Sequence, residues 1–267
     1  MSGRWHTLKA LLLSARPWQW PKNLLAALGA LMAGGGVLDA LCATLAMIMA
    51  SAAVYLLNDL RDAEEDRRDP AKATRPLASG ELTAAFALFA GGTLAVGATL
   101  LAGGGRPVLL LYLLVNFLYS MGGKRIAHLE ILLVSVGFPL RVLLGSLYAG
   151  EITPGALHLT VWLAAIGVVA AKRHGEIREN HDARSVNRFY TETGLIGLRR
   201  TALLVAVLTT ASTGFAGLLP AGGLALAFLR LDRLAAQGRT ARPDRAAFTD
   251  PWMLLGIVLW AVSAWLS

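Results

Sequence analysis

Long apolar segments alternate with short polar segments along almost the whole chain of 267 residues. Several of the apolar segments approach the ~20 residues that a helix needs to cross the hydrocarbon core of a bilayer. Glycine triplets and a proline punctuate the joins between them, as is typical of turns. The pattern predicts an all-α, polytopic membrane bundle of about nine transmembrane helices. The predicted segments are residues 23–38, 40–57, 82–103, 107–122, 129–149, 155–171, 201–218, 219–231 and 252–267.

Composition and charge agree with this class and predict its orientation. Hydrophobic residues make up 55% of the chain and charged residues 16%, whereas a soluble domain carries about 25% charged residues. All 25 Lys and Arg residues except Arg106 and Arg141 fall on one side of the predicted bundle. Basic loops stay in the cytoplasm, so we expect a multi-pass protein of a bacterial-type cell membrane with its N-terminus inside and its C-terminus outside. The net charge of +8 then belongs to the cytoplasmic face, and no nucleic-acid partner is expected.

A single domain over residues 1–267 accounts for this pattern. Residues 1–22 are predicted to lie in the membrane interface, because tryptophan and leucine accompany their basic residues. Residues 58–81 and 172–200 are predicted to form the cytoplasmic loops of an active site. The bilayer is one expected partner; a homo-oligomer is an option that the sequence leaves open.

The most informative polar motif is the stretch 58–66, which follows the second apolar segment. On a helix Asp59, Asp62 and Asp66 share one face, and Asn58 lies at its edge. Carboxylates are hard oxygen ligands, and Mg²⁺ is usually bound by one or two of them together with substrate phosphates. The alternative is a solvated acidic face paired with nearby arginines. Because ionisable groups at a membrane bundle are functional by default, we expect a Mg²⁺ site whose ligands are Asn58, Asp59, Asp62 and Asp66.

Two further charged segments accompany the acidic motif. Lys72 and Arg75 lie in a proline-containing turn that can direct their charges back towards the acidic face, where they would bind phosphate oxygens. Lys172, Arg173 and Glu176 follow the sixth apolar segment and have the same mixed character. The alternatives are that Lys72 and Arg75 only determine topology, and that Glu176 forms a helical ion pair with its basic neighbours.

Two polar features lie within the apolar segments themselves. Arg141 is inside the fifth segment, where an unpaired arginine would cost at least ~2.5 kcal/mol. We therefore expect Arg141 to face an internal anion, either Glu130 on the same helix or a bound phosphate. Gln19, Lys22 and Asn23 form one polar face where the chain enters the membrane, for which the alternative is a snorkelling interface anchor.

Taken together, these motifs resemble the UbiA superfamily of intramembrane prenyltransferases. Within it, they are most similar to the branch of decaprenyl-phosphate phosphoribosyltransferases, which start the synthesis of decaprenyl-phosphoryl-arabinose. The similar elements are Arg16-Pro17-x-Gln19-Trp20-x-Lys22-Asn23, Asn58-Asp59-x-Arg61-Asp62-x-Glu64-x-Asp66-Arg67, Pro70-x-Lys72-x-x-Arg75-Pro76-x-Ala78-x-Gly80, Tyr119-Ser120-x-Gly122-x-Lys124, Leu129-Glu130-Ile131, Arg141, Gly145 and Lys172-Arg173-x-x-Glu176.

The resemblance implies a UbiA-like fold, a Mg²⁺ cofactor and a reaction. In that reaction 5-phosphoribose passes from phosphoribosyl pyrophosphate to a polyprenyl (decaprenyl) phosphate, and pyrophosphate is released. Aromatic prenyltransferases usually carry a second Asp-rich motif where this chain has Lys172-Arg173-x-x-Glu176, whose extra positive charge suits a highly phosphorylated donor. The alternatives are prenyl transfer from a diphosphate to an aromatic acceptor, and a non-catalytic transporter or lipid-binding bundle.

These considerations give a set of expected site residues. The expected catalytic residues are Asp59, Asp62, Lys172 and Glu176. The expected substrate-binding residues are Gln19, Lys22, Asn23, Arg61, Asp66, Lys72, Arg75, Lys124, Arg141, Arg173 and Tyr190. The chain departs from the family at His174-Gly175-Glu176, where relatives tend to carry Tyr-Ala-Glu.

Overall fold

A computed structural model describes residues 2–70, 72–178, 185–240 and 249–266, and the regular elements within these ranges are helical. The α-helices are α1 (Ser2–Ser14), α2 (Leu24–Met32), α3 (Val37–Arg68), α4 (Pro76–Ser79), α5 (Ala84–Leu101), α6 (Arg106–Met121), α7 (Leu129–Tyr148), α8 (Gly155–Arg178), α9 (Glu192–Ala211), α10 (Phe215–Ala236) and α11 (Pro251–Leu266). The 3₁₀ segments are Pro17–Asn23, Gly103–Gly105, Gly123–Arg125 and Ser185–Phe189.

The all-α membrane class predicted from the sequence is confirmed, because each predicted apolar segment overlaps one of these helices. Within the described residues six helices, α3 and α5 to α9, are long and apolar enough to cross a membrane, and α11 is a shorter apolar helix. Large apolar side chains remain exposed on them, such as Phe89 at 72% and Leu100 at 71%. Side chains of this kind suit contact with lipid. The number of nine spans stays a prediction.

Several boundaries differ from the predicted ones. The helix α3 continues to Arg68 and α8 to Arg178, so both charged motifs are helical extensions of apolar helices rather than loops. The break between α9 and α10 falls at residues 212–214 instead of 218–219. Gly214 supplies it with φ 91°, a conformation that glycine adopts at no steric cost. Pro220, which suggested the break, lies inside α10.

The first of two compact units comprises Met1–Ser120 and Arg141–Glu151. Within it α3 packs against α2, α4 and α5, and α1 contacts α3 and α4. Ala10 of α1 is buried in a core cluster with Leu56, Leu77, Leu82 and Ala87. The segment that precedes the first apolar helix is therefore attached to the part of α3 that carries the acidic motif.

In the same unit, α2 touches the C-terminal part of α7 through backbone atoms. A Cβ atom added to Gly145 would lie 1.9 Å from the carbonyl oxygen of Ala26, and one added to Gly29 would lie 2.0 Å from that of Val142. Small residues permit such close approach between membrane helices. This contact between α2 and α7 places Arg141 next to the start of α2.

We expect Gly145→Ala to destabilise the protein, since the new methyl group can be accommodated only by separating the two backbones. Overpacking of this kind costs about 1–3 kcal/mol. The measurement is thermal unfolding of the purified protein in detergent. Gly92→Ala is the matched control, because it also lies inside a helix but has no atom within 4 Å of the added Cβ. An equal loss of stability in the two variants would contradict the backbone contact.

The second compact unit comprises Met121–Leu140 and Ile152–Ser267. Within it α8 packs along α9, and α10 packs along α9 and α11. One core cluster contains Ile131, Val169, Ala170 and Leu195, with Tyr190 packed against it. This cluster joins the start of α7 to the end of α8, where the second charged motif lies.

Candidate active site

The first candidate site, called here the acidic cluster, consists of Asp59, Asp66, Arg16 and Arg75 in the first unit. The two carboxylates stand two turns apart on one face of α3, and they are only 4% and 3% exposed. Arg75 donates from Nη1 to Asp66 Oδ2 at 2.7 Å and to Asp59 Oδ1 at 3.5 Å. Arg16 donates from Nη2 to Asp59 Oδ1. Two buried acids are thus balanced by two arginines from separate segments.

Other predicted residues surround this cluster with partners of their own. The hydroxyl of Ser120 donates to Asn58 Oδ1, which orients the amide at the edge of the acidic face. Asp62 is half-buried, whereas Arg61 is exposed. Lys72 Nζ lies 2.8 Å from Asp69 Oδ2 in the turn that precedes Arg75.

The N-terminal polar residues meet the acidic cluster through Tyr55. Lys22 Nζ donates to the Tyr55 hydroxyl at 2.5 Å and to Gln19 Oε1 at 3.3 Å. The Arg16 guanidinium lies over the Tyr55 ring, 4.9 Å from its centroid. The predicted residues Gln19 and Lys22 are therefore brought near the acidic motif, within one turn of α3. Arg16 was absent from the expected site, and no spacing rule indicates that a residue so far from Asp59 in sequence would bind it.

Asn23 and Arg141 form a separate buried network in the first unit. Asn23 is fully buried, donates to Ser51 Oγ at 3.1 Å and accepts from Arg141 Nε at 2.9 Å. Arg141 Nη2 donates to the Tyr112 hydroxyl at 3.0 Å. The expectation that Glu130 pairs with Arg141 is wrong. Eleven residues of helix place their Cα atoms about 16 Å apart, beyond the reach of a direct contact.

The second candidate site, called here the Glu130 cluster, lies in the second unit. Glu130 is fully buried and accepts two hydrogen bonds from Arg173, from Nε and Nη2, both at 2.7 Å. The remaining guanidinium nitrogen, Nη1, donates to Glu176 Oε2 at 2.5 Å. Arg173 is 2% exposed, whereas the side chain of Lys172 is 38% exposed and lies 4.0 Å from Glu176. Of the two predicted cations Lys172 and Arg173, Lys172 is therefore the one whose side chain is accessible to a ligand.

Tyr190 connects the Glu130 cluster to the turn before α7. Its hydroxyl donates to Glu130 Oε1 at 3.2 Å and accepts from the backbone N–H of His128 at 2.9 Å. Burial, helped by the Glu130 carboxylate, raises the pKa of Tyr190 to about 12, so the hydroxyl remains a donor at neutral pH. Tyr190 thereby holds the turn at His128, which follows the half-buried Lys124.

The donor set of the acidic cluster fits a Mg²⁺ ion bound with a diphosphate. Among the described residues, no group of three or more Asp, Glu, His or Cys side chains is arranged to hold a metal ion by itself. Mg²⁺ does not need such a group, because it is usually held by one or two carboxylates plus substrate phosphates. Arginines beside those carboxylates supply the charge-assisted hydrogen bonds that phosphate oxygens accept.

Within the described residues, the protein is a helical membrane bundle with an acidic face at the C-terminal end of α3, the first of its long apolar helices. Residues 23–258 match the UbiA prenyltransferase family, and the chain belongs to that family. The resemblance inferred from the motifs is thus confirmed.

Three similar proteins carry the description decaprenyl-phosphate phosphoribosyltransferase. The one from Corynebacterium glutamicum is 32% identical over 231 residues, which are 77% of this chain and 67% of that protein. The one from Mycolicibacterium smegmatis is 31% identical, over 64% of this chain and 58% of that protein. The one from Mycobacterium tuberculosis is 33% identical, over 61% and 58%. The matched part thus spans 58% to 67% of the length of these relatives.

Solved structures confirm the UbiA-like fold. A UbiA homolog from Archaeoglobus fulgidus bound to GPP and Mg²⁺ is 14% identical with a TM-score of 0.77, over 96% of this chain and 98% of that chain. A UbiA homolog from Aeropyrum pernix is 18% identical with a TM-score of 0.68, over 91% and 94%. At these identities the likeness concerns the fold alone.

Proposed function

We propose that the protein transfers 5-phosphoribose from phosphoribosyl pyrophosphate to a polyprenyl phosphate, such as decaprenyl phosphate, in a Mg²⁺-dependent reaction. The observation that carries the choice of substrates is the similarity to three relatives described as decaprenyl-phosphate phosphoribosyltransferases. The acidic cluster supports the chemical class, because it combines buried carboxylates with arginines. The exposed Lys172 supports a donor with many phosphate oxygens.

The proposed reaction needs little acid–base chemistry from the protein. A bond forms between C1 of the ribose and an oxygen of the lipid phosphate, while the bond from C1 to the diphosphate breaks and the diphosphate leaves with the electron pair. A phosphate monoester is already anionic at neutral pH, so no strong general base is required. Catalysis then rests on positioning and on charge stabilisation.

In this proposal the acidic cluster binds the diphosphate of the donor. Mg²⁺ held there would neutralise the leaving diphosphate as a Lewis acid. The solved A. fulgidus homolog was bound to both GPP and Mg²⁺, which supports the use of this ion in the family. Arg75 and Lys72 would bind phosphate oxygens. The proposed ligands of the ion are Asn58, Asp59, Asp62 and Asp66.

In the second unit, Lys172 and Glu176 are proposed to contact the donor, and Lys124 a phosphate. The hydrogen bonds of Arg173 are used within the protein, so its proposed task changes from ligand contact to holding Glu176 in place. Arg141 and Asn23 likewise become residues that position the start of α2. Tyr190 is assigned to holding the turn at His128.

We place the candidate site on the cytoplasmic side with the N-terminus inside. In a Cys42→Ser background, which removes the only cysteine, a cysteine at the exposed Gln237 should react with an impermeant maleimide only from the cytoplasm. A cysteine at the exposed Glu151 should react only from the opposite side. Ala71 and Ala183, which belong to the predicted cytoplasmic loops 58–81 and 172–200, lie outside the described residues. Labelling of both positions from one side would contradict the topology.

The experiment that tests the function compares two substrate pairs with the same purified protein. One arm contains labelled phosphoribosyl pyrophosphate with decaprenyl phosphate, and the other contains a polyprenyl diphosphate with 4-hydroxybenzoate. We expect a labelled lipid in the first arm, only when Mg²⁺ is present, and no prenylated 4-hydroxybenzoate in the second arm. Product in the second arm alone would replace the proposal with the other activity of the family, prenyl transfer to an aromatic acceptor.

A further inference from the structure

Arg16 has an unusual backbone conformation, with φ 52° and ψ 65°. Within the described residues only Arg16 and His128 combine a side chain with positive φ. This left-handed conformation is unfavourable for a residue with a Cβ atom, and it persists only where the surroundings enforce it. Such residues concentrate at functional sites, where the strain serves the geometry of binding.

The strained backbone brings the Arg16 guanidinium to the first aspartate of the acidic motif. Arg16 lies immediately before the 3₁₀ segment Pro17–Asn23, and 43 residues separate it from Asp59. Its guanidinium donates to Asp59 Oδ1 and covers the Tyr55 ring. The side chain is 25% exposed, while that of Asp59 is 5% exposed. Arg16 therefore covers the carboxylate from the accessible side.

The two arginines of the acidic cluster differ in how firmly they are anchored. Arg75 is held by Asp66 at 2.7 Å and reaches Asp59 only at 3.5 Å. Among the described residues, Asp59 is the one hydrogen-bond acceptor of the Arg16 guanidinium. If Arg16 released Asp59, Arg75 would still balance Asp66. Arg16 is thus the arginine that can change partners without disrupting the cluster.

A divalent cation and the Arg16 guanidinium compete for the same carboxylate. A cation that binds Asp59 repels the guanidinium, whereas the diphosphate that accompanies the cation offers new acceptors close by. We propose that Arg16 exchanges partners. It holds Asp59 in the absence of donor, and it binds a phosphate oxygen of the donor when Mg²⁺ occupies the carboxylate. The inference rests on the proposed function and adds a donor-binding residue to it.

The exchange predicts opposite changes in the affinities for Mg²⁺ and for the donor, which a purely structural role of Arg16 does not predict. Removing the guanidinium should free Asp59 for the cation and also remove one ligand of the donor. Arg16→Ala should therefore bind Mg²⁺ about tenfold more tightly when no donor is present, because a competing charge-assisted hydrogen bond to Asp59 is lost. The same variant should bind phosphoribosyl pyrophosphate with Mg²⁺ roughly ten- to a hundredfold more weakly, the effect of one charge-assisted hydrogen bond.

The experiment is isothermal titration calorimetry of the full-length protein in nanodiscs, first with Mg²⁺ alone and then with phosphoribosyl pyrophosphate at saturating Mg²⁺. Alanine also carries a Cβ atom, so Arg16→Ala keeps the backbone penalty. If the Arg16→Ala variant does not fold, Arg16→Gly is used in its place, because glycine adopts positive φ without strain. Arg68→Ala is the matched control, because it removes the same charge from an exposed position at the end of α3. Both affinities should be unchanged in that control.

The outcomes separate this inference from the proposed function. Tighter Mg²⁺ binding together with weaker donor binding in Arg16→Ala, but not in Arg68→Ala, supports the exchange. Parallel losses of both affinities, or no change in either, overturn it. Asp59→Asn is measured alongside. If Asp59→Asn binds Mg²⁺ as tightly as the native protein, the metal assignment of the proposed function fails. If Asp59→Asn abolishes Mg²⁺ binding while Arg16→Ala leaves it unchanged, only the role of Arg16 is refuted.

Discussion

Asp59→Asn is expected to reduce kcat roughly 10²- to 10³-fold, the loss observed when one preorganised electrostatic group is removed from an active site. The amide keeps an oxygen that can accept the hydrogen bonds from Arg16 and Arg75, so the local contacts can persist. It loses the charge that a cation requires. The protein should therefore remain folded and membrane-inserted while turnover falls.

The measurement is kcat with saturating substrates across a Mg²⁺ titration, together with thermal unfolding of each variant. Glu65→Gln is the control, because it removes one negative charge from an exposed position on the same helix. We expect it to keep native turnover. Native kcat in Asp59→Asn would refute the assignment of the acidic cluster. Equal losses in both variants would show that only the net charge of the helix end matters.

Arg173→Ala is expected to lower the free energy of unfolding by about 3–5 kcal/mol, the cost of leaving a buried charge without its partner. Glu130 is fully buried and accepts two of the three hydrogen bonds that Arg173 donates within the described residues, so truncation of Arg173 isolates the Glu130 carboxylate. The double variant Glu130→Leu, Arg173→Met should regain most of the lost stability, because it removes both charges and keeps the volume.

Lys172→Ala is the matched comparison on the neighbouring residue. Its side chain is 38% exposed, and its Nζ lies 4.0 Å from Glu176 Oε1. An exposed pair of this kind contributes about 0–1 kcal/mol. We expect little change in unfolding, but roughly ten- to a hundredfold weaker binding of phosphoribosyl pyrophosphate. The measurements are chemical unfolding in mixed micelles and calorimetry. A stable Arg173→Ala variant with weakened donor binding would instead return Arg173 to the ligand contacts.

Local periodicity was enough to predict the helical class and the acidic face. The spacing of Asp59 and Asp66 fixes their common face wherever α3 is helical. Their shared partner Arg75 lies only nine residues beyond Asp66, in a turn that the prolines indicate. The cationic segment after the sixth apolar run was likewise found, since its charges follow an apolar run directly.

The remaining contacts depend on tertiary structure, which periodicity does not report. Arg16 reaches Asp59, and Arg173 reaches Glu130, each across 43 residues. Glu130 pairs with Arg173 rather than with Arg141 because α8 packs beside the start of α7. The wrong boundary at Pro220 has a local cause. Proline suggested a helix end, but Gly214 and its positive φ made the turn six residues earlier.

The most direct test of the central claim follows two phosphorus labels in phosphoribosyl pyrophosphate through one reaction with decaprenyl phosphate. The donor carries one label on the 5-phosphate and a second, distinguishable label on the β-phosphate of the diphosphate. The proposed transfer predicts that the 5-phosphate label enters the lipid product, while the β-phosphate label appears only in released pyrophosphate. Both events should depend on Mg²⁺ and slow roughly 10²- to 10³-fold in Asp59→Asn. A lipid product that contains the β-phosphate label, or an unlabelled lipid fraction, would contradict phosphoribosyl transfer.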